Sequence, residues 1–258
     1  MRIVMYSNRG PVREHNEDAL FAGGNIVTGS SMAAPCEVEA ETACGCLAAI
    51  DGMGGYEGGE LAARFVAASF LNEVDGWRQA SAETGKERIL DILQNASRRI
   101  AGAVAEKSDL SSMGATLAGL VFCEDAALVF NCGDCRVYRR QGEYLEKLSH
   151  DHSVVQDLFD QGEIDEEGMR THPRKNIVTA CVAANPDTEV FFREVAQVRE
   201  GERFFLCSDG VWEALPIEEL EECLADGSLS GAAEKLAGKL AGVGEECRDN
   251  VSFLIVET

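Results

Sequence analysis

The chain has 258 residues, long enough for one large domain or two small ones with a real core. Its 45 acidic side chains against 23 lysines and arginines leave a net charge of −22, which excludes binding to nucleic acid or an anionic membrane through the bulk field. No run approaches the roughly 20 apolar residues of a membrane span, and MRIVMYSNRG has no signal-peptide core, so the ten cysteines read as reduced thiols of a cytoplasmic protein.

In chain order, residues 2–7, 18–28 and 46–51 have strand character, and the small-residue stretch 29–45 reads as an insertion loop. CLAAI then ends in Asp51, and five of the eight residues from Gly52 to Gly59 are glycine. A helix follows from Glu60, with Ala62, Phe65, Val66 and Phe70 on one stripe. Glycine-rich turns between a strand and a helix often cradle phosphate. This one has neither the lysine and Ser/Thr of a P-loop nor a GxGxxG spacing. The acid at the strand end favours a cation instead.

Ile89, Leu93, Ala96, Ile100 and Val104 mark an amphipathic helix over 84–107. GATLAGLVF, AALVFNC, CRVYRRQ and YLEKLS follow, separated by short polar turns in the manner of antiparallel strands. Residues 150–175 are polar and charged with little apolar patterning. ERFFLCSDG is another apolar strand ending in an acid, Pro216 opens a short helix, and Leu229, Ala233, Leu236 and Leu240 stripe another before NVSFLIVET closes as a strand. The order predicts one α+β domain over 1–258, without internal repeats. Cys44-x-Cys46 and Cys132-x-x-Cys135 have the spacing of zinc half-sites, but no histidine pair completes either, so structural thiols are the better reading.

Four aspartates stand at or beside strand ends: Asp18 in NED, Asp51 in IDG, Asp209 in CSDG and Asp249 in RDNV; Asp134 sits at a strand-to-strand turn. One such acid is usually a turn or cap residue. Five point to hard divalent cations, which take oxygen ligands. Two ions about 3.5–4 Å apart can share a carboxylate and activate a water between them. Asp51 is the candidate bridge and Gly52 a candidate carbonyl ligand, with the remaining glycines keeping the turn open to substrate.

In order, RGPVREHNEDAL, IDGMGG, GATLAGLVF, NCGDCRVY, FFLCSDGVWEAL and RDNVSFLIVE resemble the motifs of metal-dependent protein serine/threonine phosphatases, the PPM type, in a bacterial-like branch. The resemblance runs from residue 7 to 258. It implies an α-β-β-α sandwich of two antiparallel sheets flanked by helix pairs. It implies hydrolysis of phosphoserine and phosphothreonine in proteins by a metal-bound water, without a phosphoenzyme, by a monomer acting on the products of a serine/threonine kinase. It further implies that Arg13 holds the substrate phosphate, that Asp18, Asp51, Gly52, Asp209 and Asp249 hold two Mn²⁺ or Mg²⁺ ions, and that Asp134 with Asp209 holds a third, weaker one. Glu17 would hold a metal water, Asn250 would orient Asp249, and residues 150–176 would form a flap beside the cleft.

Met53 stands where many eukaryotic members have a histidine proposed as general acid, and a thioether cannot donate a proton; His15 and His172 are the substitutes to consider. Cys135 replaces the usual serine beside Asp134. Two other readings stay open: a catalytically dead relative that binds phosphoproteins, and a different two-metal hydrolase such as a nuclease or small phosphomonoesterase. Every core acid is present, and the charge speaks against nucleic acid. Finally, Cys132 and Cys207 lie two residues before Asp134 and Asp209, so along a strand each faces the way its acid does. Cys135, at the turn, is the best placed of the three to be a thiolate open to peroxide.

Overall fold

The first strand shows how the chain is layered. In β1 (Arg2–Asn8), Ile3 and Met5 enter one apolar cluster while Val4 and Tyr6 enter another on the opposite face, so both faces are covered. The same holds for β6 (Gly114–Cys123), in which every residue is buried. Strands covered on both faces lose the in–out alternation and read as continuous apolar runs.

The computed structural model describes residues 1–39, 45–55, 57–123, 126–185 and 187–258. Two six-stranded antiparallel sheets stack on each other. The first has the order β4-β1-β12-β11-β8-β9, built from Cys36–Glu39, β1, Val251–Glu257, Arg203–Cys207, Arg136–Gln141 and Tyr144–Lys147. The second has the order β10-β7-β6-β5-β2-β3, built from Phe191–Val195, Ala126–Cys132, β6, Cys46–Met53, Ala19–Ala22 and Asn25–Thr28. Leu20, Leu47, Leu120, Val129, Leu206 and Leu254 fill the space between the sheets. Helices α1 (Glu57–Leu71) and α2 (Ala82–Glu106) cover the outer face of the second sheet through Phe70, Ile89 and Leu93. Helices α5 (Asp209–Ala214), α6 (Ile217–Leu224) and α7 (Leu229–Val243) cover the first through Trp212, Leu220 and Leu236. The architecture is the α-β-β-α sandwich.

Several elements depart from the sequence reading. Residues 18–28 form a hairpin, β2–β3, turning at Gly23 and Gly24, both at positive φ. The stretch 29–45, expected as a loop, contains β4, which extends the first sheet by pairing Met5 with Cys36; residues 40–44 lie outside the described residues. The unpatterned stretch 150–175 holds two short helices, α3 (Val154–Asp160) and α4 (Glu166–Thr171), capped by Ser153 and Asp165 side chains that accept from Gln156 N and Gly168 N. Strand β10 and helix α5 were not anticipated. The α2 reading of 84–107 lies close to the observed Ala82–Glu106, which starts in a capping box between Ser81 and Thr84.

Candidate metal centre and substrate cleft

Strand register delivers the acids to one end of the sandwich. Ala19 pairs with Ile50, so Asp18, just before β2, and Asp51, near the end of β5, stand side by side on the second sheet. In the first sheet Cys207 pairs with Phe253, so Asp209, just after β11, and Asp249, just before β12, are neighbours in the same way. Asp134 lies in the turn by which the chain leaves β7 in one sheet for β8 in the other. Together with Arg13, Glu17, Gly52, Met53, Gly54, Gly55, Asn176 and Val178, the acids Asp51, Asp134, Asp209 and Asp249 line a cleft of about 300 Å³, and Asp18 is buried beneath them. A larger cavity of about 410 Å³ beside α3 and α4 is lined by Tyr138, Phe159, Met169 and Trp212 among others and has none of these acids.

Among the described residues, no three His, Cys, Asp or Glu side chains are drawn into a closed metal cage. The electrostatics nonetheless tie the acids into one group. Burial, then Asp209, Asp18, Asp249 and Asp134 in turn, push the Asp51 carboxyl well above its usual range. Burial first and Asp134 next do the same to Asp209. Asp18 is raised by burial, against hydrogen bonds that lower it, and Ser208 Oγ donates to its Oδ2 at 2.9 Å. Asp134 is raised by burial and by Asp151. Asp18 Oδ1 and Asp209 Oδ1 are buried without a hydrogen-bond partner. An unpartnered buried carboxylate oxygen is costly, and an oxygen-only donor set facing its own repulsion suits a hard divalent cation. The residues present fit such ions.

Around the acids the glycines take a definite meaning. A Cβ on Gly52 would stand 2.1 Å from Gly59 O and 2.6 Å from Glu17 O, so only glycine lets these three backbones meet. Gly54 has φ +131°, and a Cβ there would stand 2.6 Å from Met113 Cα. Arg13 lies at the mouth, with Nη2 donating to Asp249 Oδ2 at 2.6 Å and Nε to Arg248 O at 3.2 Å. Asn250 acts differently from expectation. Its backbone N–H donates to Asp249 Oδ1 at 2.8 Å, while its buried side chain accepts from Glu17 N and donates to the carbonyls of Arg9 and His15. It therefore holds the loop that carries Arg13 and Glu17, and Asp249 only through the main chain.

The reactive-thiol expectation fails. Cys135 is fully buried, 3.4 Å from Thr116 Oγ1, and burial, then Asp51 and Asp134, hold its thiol well above the usual value. The nearby acids add to burial in opposing a thiolate, and no face of the thiol is exposed. Cys132 and Cys207 are likewise buried, with thiols pushed up by burial. His15 and His172 are not among the residues lining the cleft. Asn176, the last residue of the expected flap, does reach the lining, whereas sequence reasoning missed Val178 there, Ser208 on Asp18, and Trp212, whose Nε1–H donates to Asp134 O at 3.0 Å. The one available signal was the position of Trp212, three residues after Asp209 and so on the next turn of the same helix.

Similarities to known proteins agree with this picture. The family model described as "Protein phosphatase 2C" matches residues 34–243. The serine/threonine phosphatase stp of Listeria monocytogenes serovar 1/2a is 32% identical over 262 residues, spanning 100% of this chain and 96% of that one. The crystal structure of the Mycobacterium tuberculosis serine/threonine phosphatase PstP/Ppp superposes with a TM-score of 0.80 at 25% identity, covering 100% of this chain and 99% of the other. A PstP catalytic domain in complex with two manganese ions shares the fold, with a TM-score of 0.78 at 24% identity over 100% and 99% of the two chains.

Proposed function

The chain belongs to the protein phosphatase 2C family, and we propose that it is a metal-dependent phosphatase that removes phosphate from phosphoserine and phosphothreonine in proteins. One observation carries the reading: four aspartates line one cleft over a fifth, the buried Asp18, with an arginine at its mouth and unpartnered carboxylate oxygens among them. Two Mn²⁺ or Mg²⁺ ions held by Asp18, Asp51, Asp209, Asp249 and the Gly52 carbonyl would supply Lewis acidity and a water of lowered pKa. Asp51 would be the shared carboxylate, a reading supported by the way burial and then each of the other four acids raise it. Asp134 and Asp209 would take a third, weaker ion.

Arg13 holds the phosphoryl group through its guanidinium fork, whose planar donors suit phosphate oxygens. Its contact with Asp249 fixes it beside the metal acids in the meantime. Glu17 sits beside the glycine turn, near enough that a Cβ on Gly59 would touch its Oε2 at 2.7 Å, and there it orients water. Residues 150–176 form a flap, tied to α5 through the Lys175–Glu213 pair at 2.5 Å. The proposal extends to a single phosphatase domain over 1–258, acting as a cytoplasmic monomer on proteins that a serine/threonine kinase has phosphorylated. Among the described residues no helix is long and apolar enough to cross a membrane.

The test is turnover of a phosphothreonine peptide by purified protein in EDTA and after addition of Mn²⁺. The reading expects no phosphate release in EDTA and release with Mn²⁺. Turnover that resists EDTA, or none under either condition, overturns it.

A further inference from the structure

We infer that the mouth of the cleft beside Arg13 recognises an acidic residue flanking the phosphorylated residue of the substrate. This rests on the phosphatase reading and names the substrate class it serves. Arg9, Arg13 and Arg248 come together there from opposite ends of the chain. Arg13 Nε donates to Arg248 O at 3.2 Å, Arg9 Nη1 donates to Arg13 O at 3.4 Å, and Asn250 Nδ2 clamps the carbonyls of Arg9 and His15 at 2.9 Å each.

Of the three guanidinium groups, only Arg13 has a carboxylate partner, Asp249. Arg9 and Arg248 are exposed, and among the described residues no carboxylate lies within 4.0 Å of either, although Glu14 and Glu246 belong to the same two segments. A chain with 45 acids against 23 lysines and arginines has an abundance of carboxylates for pairing. Arg9 and Arg248 do not line the cleft itself, but the Arg9 guanidinium meets the Arg13 carbonyl and the Arg248 carbonyl meets the Arg13 guanidinium, so two exposed arginines without a carboxylate partner stand next to the arginine at the mouth.

The phosphoryl group fixes the position of the peptide at Arg13. Its neighbouring residues then pass Arg9 and Arg248, whose forks suit a carboxylate. Pairs at this exposure are individually weak and salt-sensitive, so they set preference among substrates and leave the chemistry alone.

The experiment compares two phosphothreonine peptides, identical except for glutamates or lysines on both flanks, with Mn²⁺-loaded wild type and an Arg9→Gln/Arg248→Gln variant. Both substitutions keep the backbone carbonyls that Arg13 and Asn250 use. At low salt the wild type is expected to favour the glutamate peptide in kcat/KM by roughly threefold to tenfold, as two exposed ion pairs allow. In the variant the preference should fall within about twofold, the scatter of an unpaired site; because it is a ratio of two peptides on one protein, any loss of basal turnover from the missing Arg9 contact with Arg13 O cancels. No preference in wild type, or one that survives in the variant, overturns the inference. Fluorescence anisotropy of the same peptides in Mn²⁺ separates it from the phosphatase reading. A protein that hydrolyses nothing, yet binds the acidic peptide more tightly through Arg9 and Arg248, supports this inference and sinks the other. Equal binding of the two peptides sinks this one.

Discussion

Two buried groups of aspartate lie a short way apart in this protein and have opposite chemistry. Asp151, at the head of the flap, accepts from Arg136 Nε and Nη2 at 2.9 and 2.6 Å and from Lys147 Nζ at 3.3 Å. Burial raises its carboxyl, but Arg136 and Lys147 outweigh burial and hold it below the usual value. The Arg136 guanidinium in turn stacks 3.5 Å over the Trp212 ring. Among the described residues, no lysine or arginine is paired to the cleft acids Asp18, Asp51, Asp134 and Asp209, and all four are raised. The fold can thus neutralise a buried aspartate from its own sequence, and it does so within one turn of the cleft. To these four cleft acids it supplies no such partner among the described residues. Trp212 joins the two regions, its ring under Arg136 and its N–H on the Asp134 carbonyl.

The difference can be broken first at its centre. Asp51→Asn removes the charge on which the other cleft acids act, and turnover of phosphopeptide should fall by at least about a thousandfold, the scale of losing several kcal/mol of metal-ion stabilisation. Circular dichroism should be unchanged. Retained Mn²⁺-dependent turnover would remove Asp51 as the bridge. Arg13→Ala should act on substrate and leave the metals in place, lowering kcat/KM by roughly tenfold to a thousandfold for a lost charge-assisted pair worth about 1.5–4 kcal/mol. Unchanged phosphopeptide kinetics would make Arg13 a partner of Asp249 and nothing more.

At the self-neutralised aspartate, Arg136→Met leaves Asp151 with Lys147 alone. Breaking a buried pair this way should cost about 3 kcal/mol of stability, toward the low end of the range because one cation remains. Urea denaturation at pH 7 measures it, and a loss under about 1 kcal/mol would put the pair among surface contacts.

The gentlest probe is pH. Burial pushes Asp18 and Asp134 up to about 7 in the folded chain, against about 3.9 when unfolded. A raised carboxyl favours folding while it is protonated in the folded form. Its contribution is complete below the unfolded value and is lost as pH rises through about 7. EDTA-treated protein should therefore lose thermal stability from pH 5 to 8, and saturating Mn²⁺ should flatten the fall. A midpoint that rises over that range in EDTA would show that burial does not raise these carboxyls.

The contrast also marks how far the sequence could be read. The acids were legible because each stands at a strand end or a turn in an apolar neighbourhood, and strand ends follow from local pattern. The order of strand and helix runs carried an α+β domain and no more; the sandwich was legible only through the resemblance of the motifs to a family. What stayed hidden is fixed by distant partners. Ser208 meets Asp18 across 190 positions of chain and Trp212 meets Asp134 across 78, and no local periodicity carries such information. Strand β10 was missed because Arg193 and Glu194 leave no clean alternation, and α5 because six residues are too few for a helical stripe. The thiol expectation failed for the same reason: a turn position suggested exposure, yet packing between the sheets buries Cys135 completely.

The central claim, that the cleft acids await external cations, is tested most directly by calorimetric titration of Mn²⁺ into EDTA-stripped protein at pH 7. Repeating it in two buffers of different ionisation enthalpy counts the protons exchanged. Two tightly bound ions per chain are expected, with proton release as the raised carboxyls ionise on binding and loss of the tight sites in Asp51→Asn. Absence of tight binding, or identical titrations for wild type and Asp51→Asn, would contradict it.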